Sequence, residues 1–250
     1  MTSKTKKIIF IFLILLALLI IIAGFFSYKK IKEYVERINA ESENVKTLNE
    51  VSKKTNPTST NELPSSAYLK VPFITQAPLE TEANWRLHEE SCEEAALLQA
   101  YLYETDKTMT KEEANQEILK MIDWEKEYFG KHKDLYAKDM QKFIIGYFNK
   151  INSSQITVKQ NASIDDIKKY LNEGHPVIVP ITGDILNNPY YPYPGYHMLI
   201  AIGYTEDKII TNDNGTRRGA SFSYDTEIFK KAMDDAGGDI IVLTLKTSSP

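Results

Sequence analysis

An uncharged segment near the N-terminus is the strongest constraint on how this chain can fold. From Ile8 to Phe26, nineteen consecutive residues carry no charge, and most of them are Ile, Leu or Phe. As a helix this segment would be roughly 28 Å long, close to the hydrocarbon thickness of a bilayer. A core helix would have a polar face, and this segment has none. The sequence therefore predicts a membrane anchor over residues 1–30.

The preferred interpretation of this segment is an uncleaved, single-pass anchor. Lys4, Lys6 and Lys7 also fit the basic start of a cleaved signal peptide, but no small-x-small cleavage site follows the long apolar run. Lysines flank both ends, so the charge bias that sets orientation is weak. The long remainder of the chain favours an arrangement with the C-terminal part outside. We therefore expect a cell-membrane protein whose folded domain is extracytoplasmic.

Residues 31–66 are predicted to form a helical stalk followed by a flexible linker. Ile31, Ile38 and Val45 recur every seven residues, as they would along a coiled-coil seam. Three heptads lie at the threshold for such a prediction, so a solvated helix is slightly preferred over weak dimerisation through the stalk. Residues 55–66 are rich in Thr, Ser, Asn and Pro and cannot bury a core.

The remainder of the chain, residues 67–246, predicts one α+β domain, because helical patterns come first and apolar, β-branched runs come later. Helices are expected at about residues 92–103, 110–123, 135–150, 163–174 and 225–236, and strands at about 68–75, 176–181, 198–204, 208–212 and 239–245. The formal net charge is −4 and Lys and Arg form no stripe, which gives no case for nucleic acid as a partner.

Cys92 is the only cysteine, and it lies where a polar loop passes into an apolar helix. In the first turn of a helix, unsatisfied N–H groups and the helix dipole favour a thiolate, the form that attacks carbonyl carbon. Glu93 and Glu94 would oppose ionisation unless they point away or pair. A buried structural thiol is the alternative, but the neighbours of Cys92 are Glu and Ser rather than an apolar stripe. Cys92 is thus a candidate nucleophile that needs a basic partner.

Among the four histidines, His197 is the strongest candidate for that partner. It opens an apolar strand, where a buried polar ring must have a partner, although a satisfied core histidine is the alternative. If this strand forms a hairpin with the next one, Asp213 comes near His197 and can orient its imidazole. His88 and His132 are interpreted as surface residues, and His175 as part of a turn before a strand.

These features, taken in order, resemble the C39-like cysteine peptidase family, which has a papain-like fold. The resemblance implies N-terminal helices packed on an antiparallel sheet. It also implies that Gln76 donates to the oxyanion, Cys92 attacks, His197 shuttles the proton and Asp213 orients it. The matching segments are Val71-Pro72-Phe73-Ile74-Thr75-Gln76, Ser91-Cys92-Glu93-Glu94-Ala95, Gly174-His175-Pro176-Val177-Ile178-Val179, Tyr196-His197-Met198, Gly203-Tyr204 and Thr211-Asn212-Asp213. Many family members have Cys-Gly-Pro at the nucleophile, where this chain has Cys92-Glu93-Glu94.

The expected activity is hydrolysis of a peptide or related amide bond through an acyl-enzyme on Cys92. Trp85, Tyr193 and Tyr196 are candidate substrate-binding residues, because aromatic side chains near the nucleophile and base can line a peptide groove. The alternatives are a catalytically silent module that binds peptides or cell-wall components, and acyl transfer or amidase chemistry with the same residues. No cofactor is predicted. A metal site is not predicted either, because His88-Glu89-Glu90 lacks the second His of a zinc-binding helix.

Overall fold

The computed structural model describes residues 3–54, 63–191 and 195–246, without the side chains of residues 3–14, 16, 17 and 52–54. Two compact units are distinguished, Met1–Glu43 and Asn44–Pro250. The first unit is helical and consists of the greater part of helix α1 (Ser3–Lys54). Most of the predicted linker, residues 55–62, lies outside the described residues.

The transmembrane helix predicted from Ile8 to Phe26 is not supported by the described part of the chain. Within those residues, no helix reaches the combination of length and hydropathy needed to cross a membrane. Several side chains of the predicted segment, those of residues 8–14, 16 and 17, lie outside the description.

The second unit is built on one antiparallel sheet with the strand order β2-β7-β3-β4-β5-β6, and β1 pairs with the end of β4. The strands are β1 (Ala67–Tyr68), β2 (Ile156–Lys159), β3 (Val177–Thr182), β4 (Tyr196–Tyr204), β5 (Lys208–Asn212), β6 (Phe222–Asp225) and β7 (Ile240–Leu243). β4 is buried along its whole length except at Tyr196, which is half-buried. This continuous burial follows from the apolar run in its sequence and makes β4 the centre of the core.

Helices come before and between these strands, and the predicted α+β class with an antiparallel sheet is confirmed. They are α2 (Glu82–Leu87), α3 (Cys92–Glu104), α4 (Lys111–Phe129), α5 (Ala137–Tyr147), α6 (Ile164–Asn172), α7 (Gly183–Leu186) and α8 (Thr226–Asp235), with a short 3₁₀ helix at Ser153–Gln155. α3 packs on β4. α6 begins with a capping box, in which the Ser163 hydroxyl accepts from Asp166 N–H and the Asp166 carboxylate accepts from Ser163 N–H.

The sequence-based predictions were wrong or missing for the short helices and strands. The strand expected at residues 68–75 is only two residues long, because Pro72 has no N–H to donate and the chain leaves the sheet before it. β2 and β6 were not predicted, since each has only four residues and an alternation too short to recognise. α2 and α7 were not predicted for the same reason of length.

The last turns of α1 belong to the second unit by their contacts. Thr47 and Val51 are buried there, and the Asn44 side-chain oxygen accepts from the backbone N–H and hydroxyl of Ser223 at 2.7 and 2.6 Å. The heptad residues Ile31, Ile38 and Val45 are exposed. Residues spaced four apart fall on one helix face, which explains why Thr47 and Val51 are both buried.

We expect Val51→Asp to destabilise the second unit, because it buries a charge without a partner. The loss should be about 2 kcal/mol or more, measured by urea unfolding. Val45→Asp is the matched control, since Val45 is 60% exposed and its substitution should have little effect. Equal stability of the two variants would show that the last turns of α1, from Asn44 onward, are not packed within this unit in solution.

Candidate active site

Cys92 is the first residue of α3 and is buried. Its thiol donates a hydrogen bond to Glu93 Oε2, with the sulfur 3.0 Å from the oxygen. The backbone N–H of Met198, next to His197 at the start of β4, also lies within hydrogen-bonding reach of the sulfur. The start of α3 is therefore held against the start of β4, and the thiol lies at their junction.

Burial in this site favours the protonated thiol. The loss of water around the sulfur, followed by the charge and hydrogen bond of Glu93, raises the pKa of the Cys92 thiol well above its usual value. Burial and the nearby Glu94 likewise raise the pKa of the Glu93 carboxyl. The sequence predicted that the helix start would favour a thiolate. In this structure that contribution is outweighed, because desolvation of a fully buried sulfur costs more than a helix terminus returns.

His197 and Asp213 are brought together by the hairpin of β4 and β5. The strands pair antiparallel, with Ile200 opposite Asn212, so the residue after β5 lies beside the start of β4. His197 Nε2 is 3.0 Å from Asp213 Oδ1. When Asp213 accepts the Nε2 hydrogen, Nδ1 becomes the ring nitrogen that can accept another proton. This is the orienting arrangement that a His base requires.

Asp213 is completely buried and held as a carboxylate by several donors. Oδ1 also accepts from Gly215 N–H at 3.1 Å, and Oδ2 accepts from the Asn188 amide at 3.2 Å and from the Tyr224 hydroxyl. Burial alone would raise the pKa of Asp213. The charge of His197 and these hydrogen bonds outweigh burial, so the pKa lies below its ordinary value. Asn188 and Tyr224 were not identified from the sequence, because neither lies near the motif.

Asn214 connects the elements that carry Cys92 and His197. Its side-chain amide donates to the backbone carbonyl of Cys92 at 2.9 Å and to that of Met198 at 3.0 Å. The backbone carbonyl of Asn214 accepts from the backbone N–H of Gln76 at 2.9 Å. One fully buried side chain therefore fixes the helix start and the strand start relative to each other. Apart from the position of Asn214 after Asp213, no sequence pattern indicates this role.

Gln76 is buried beside this junction, but its amide is engaged elsewhere. Nε2 donates to the backbone carbonyls of His88 and Glu89 at 2.8 and 2.9 Å. Both amide hydrogens are thereby used, and Gln76 fastens the loop that precedes Cys92. The predicted donation to an oxyanion would require one of these hydrogen bonds to be exchanged.

The sequence matches the Peptidase_C39 like family over residues 68–238, a range that contains Cys92, His197 and Asp213. The chain belongs to this family. Its structure is similar to that of a candidate C39-like peptidase from Bacillus anthracis, with a TM-score of 0.53 and 17% identity over 74% of this chain and 99% of that chain. At this identity the likeness concerns the fold alone. No curated protein matches the chain.

The three predicted substrate-binding residues of this C39-like family member, Trp85, Tyr193 and Tyr196, differ from one another in their surroundings. The Tyr196 hydroxyl donates to the Leu135 carbonyl at 2.9 Å, and its ring lies 5.1 Å from that of Tyr136. Trp85 is half-buried in α2. Tyr193 lies outside the described residues. The sequence missed Tyr191, whose ring centre lies 5.4 Å from that of His197.

The other histidines correct the sequence interpretation. His88 is fully buried, with Nδ1 3.2 Å from Ser91 Oγ and Nε2 2.9 Å from Asn115 Oδ1. His132 was expected to be exposed, but only 15% of its side chain is accessible. His175 pairs with the buried Glu104 at 2.9 Å. His88 and His175 each have a hydrogen-bond partner on a distant segment, which sequence neighbours do not reveal.

Because Cys92 is the only cysteine, alkylation by iodoacetamide measures the reactivity of this one thiol. We expect Glu93→Gln to increase the rate at neutral pH, since it removes the carboxyl whose charge and hydrogen bond favour the protonated thiol. Each unit by which the thiol pKa falls should raise the thiolate fraction about tenfold. Glu112→Gln, at the exposed start of α4, is the control. A slower rate in Glu93→Gln would contradict this account of the thiol.

We expect Asn214→Ala to cost about 1–3 kcal/mol of stability, because it removes the hydrogen bonds that one buried amide donates to two backbone carbonyls. The thiol of the folded variant should also alkylate with a rate different from the parent, as the helix and strand shift. Asn172→Ala removes an exposed amide at the end of α6 and should change neither quantity. Unchanged unfolding and alkylation in Asn214→Ala would show that this amide does not hold the site together.

Proposed function

We propose that the protein is a thiol hydrolase that cleaves a peptide or related amide bond through an acyl-enzyme on Cys92. The observation that supports this most directly is the His197–Asp213 pair at the start of β4, joined through Asn214 to the start of α3. Membership in the Peptidase_C39 like family and the papain-like order of nucleophile, base and orienter point the same way.

In the proposed reaction, Nδ1 of His197 takes the thiol proton and Cys92 Sγ bonds to the carbonyl carbon of the substrate. The carbonyl oxygen becomes an oxyanion, which the Cys92 backbone N–H can stabilise, since a first-turn N–H has no partner within the helix. His197 then protonates the leaving amine as the C–N bond breaks. Water attacks the thioester with His197 as the base, and the thiol is restored.

The proposed proton transfer first requires the hydrogen bond from the Cys92 thiol to Glu93 to break. The resting thiol points its hydrogen to a carboxylate, so transfer to His197 requires the thiol to rotate. Substrate binding at the start of α3 is the event that would cause this rotation, because it replaces the surroundings of the sulfur. The proposed enzyme is therefore weakly reactive until substrate is present.

The test is hydrolysis of a peptide library by the full chain, with products identified by mass spectrometry. We expect Cys92→Ala to abolish cleavage, and His197→Ala to lower it by a factor of 100 or more. His175→Gln is the matched control, because it alters a buried histidine at the other end of α3. Cleavage that survives in Cys92→Ala would refute the proposal. Products joined to a second amine would identify acyl transfer in place of hydrolysis.

A binding module without turnover is the second candidate, and the Cys92–Glu93 hydrogen bond is the observation that favours it. In a binding module the buried, protonated thiol would have no chemical role, so Ala could replace Cys92 without loss of binding. Binding of a peptide or cell-wall fragment that persists in Cys92→Ala, with no product from the parent chain, would support this candidate.

We also propose that the protein is located at the cell membrane, with its catalytic unit outside. This rests on the uncharged segment from Ile8 to Phe26, whose described side chains such as Leu19, Ile20 and Ile21 are exposed. The full chain should sediment with membranes and resist extraction by alkaline carbonate, whereas a chain lacking residues 1–30 should not. Release of the full chain by carbonate would exclude an inserted anchor.

A further inference from the structure

Three side chains of types that can bind a metal ion come together near the start of α3: Glu94, Glu125 and His132. Glu94 comes from the first turn of α3, Glu125 from α4, and His132 from the loop of residues 130–136 that follows α4. His132 Nε2 is 3.1 Å from Glu94 Oε1 and 3.9 Å from Glu125 Oε2. One ligand atom of each residue lies within 4.8 Å of those of the other two. The distances are those of atoms that face a common point.

The polar atoms of this cluster are buried and lack aligned hydrogen-bond donors. Glu94 and Glu125 are fully buried, and neither oxygen of Glu94 nor Oε2 of Glu125 has a hydrogen-bond partner among the described residues. Nε2 of His132 has no aligned partner there either. Two buried carboxylates with this little compensation are costly to a fold unless a cation joins them.

A second buried pair in the same domain shows how the fold satisfies such groups when no ligand is involved. Glu104 Oε1 pairs with His175 at 2.9 Å, and Oε2 accepts from the backbone N–H groups of Leu245 and Lys246, each at 2.9 Å. Every oxygen of Glu104 is thus used. The two oxygens of Glu94 have an equally buried environment and no such donors.

We propose that Glu94, Glu125 and His132 bind one divalent cation of the Zn²⁺ class. Bonds of about 2.0–2.2 Å in a tetrahedral arrangement separate ligand atoms by about 3.3 Å, near the 3.1 and 3.9 Å found here. One imidazole and two carboxylates suit Zn²⁺ better than Ca²⁺ or Mg²⁺, which take more oxygen ligands. The partly accessible ring of His132 provides the route of entry.

The surroundings orient the ligands for this role. Glu125 Oε1 accepts from Lys133 N–H at 2.8 Å, so Oε2 is the atom directed to the cluster. Glu93, next to Glu94, accepts from Leu135 N–H at 2.8 Å with Oε1. The cation would therefore join α3, α4 and the 130–136 loop at the start of the helix that carries Cys92. This site is independent of whether Cys92 is catalytic.

The test measures Zn²⁺ binding to the full chain in mild detergent, in a Cys92→Ala background so that no thiol can hold the metal. We expect one Zn²⁺ per chain by metal analysis after dialysis, and an increase in melting temperature when Zn²⁺ is added. Glu94→Gln and Glu125→Gln should each weaken the affinity at least tenfold by titration calorimetry. His175→Gln, in the satisfied pair, should bind as the parent does.

Glu94→Gln and Glu125→Gln preserve side-chain shape and remove one of two like charges, so the metal-free fold should survive in both. Circular dichroism checks this directly. The proposal is overturned if the parent binds no Zn²⁺ and its melting temperature does not respond. It is also overturned if Zn²⁺ binds both Gln variants with the parent's affinity, since the metal would then lie elsewhere.

Discussion

The side-chain amide of Asn214 makes the contact on which the geometry of the candidate active site depends. It donates to the carbonyls of Cys92 and Met198, one at the start of α3 and the other at the start of β4. Both residues are buried, so water cannot take the place of this donor. The position of the thiol relative to His197 is thereby set by a buried polar group that takes no part in the proposed chemistry.

Acidic residues dominate the electrostatics around the thiol. Glu93 accepts the thiol hydrogen, and Glu94 lies on the same helix turn beside Glu125. The charges of Glu93 and Glu94 raise the pKa of the Cys92 thiol, after the larger effect of burial. A helix start is usually a favourable place for an anion. Here the sequence places carboxylates in the same turn, so the cysteine competes with them for the few donors available, and a protonated resting state is the consequence.

The relation between His197 and Asp213 could be anticipated, because it depends on a hairpin between consecutive strands. The apolar run of β4, the short return strand β5 and the turn residues after it determine a local pairing. The contacts of Asn188 and Tyr224 with Asp213 could not be anticipated, since they join segments separated by 25 and 11 residues with no periodic signal. The engagement of Gln76 with the loop before Cys92 was hidden for the same reason.

The sequence by itself determined the α+β class, the helix start at Cys92 and the hairpin that joins His197 to Asp213. Each of these follows from hydrophobic periodicity and turn chemistry, which act between near neighbours in the chain. Only the tertiary structure decided the protonation of the thiol, the burial of His88 and His132, and the meeting of Glu94 with Glu125. Those properties depend on which distant segments exclude water from a group, and no local pattern records that exclusion.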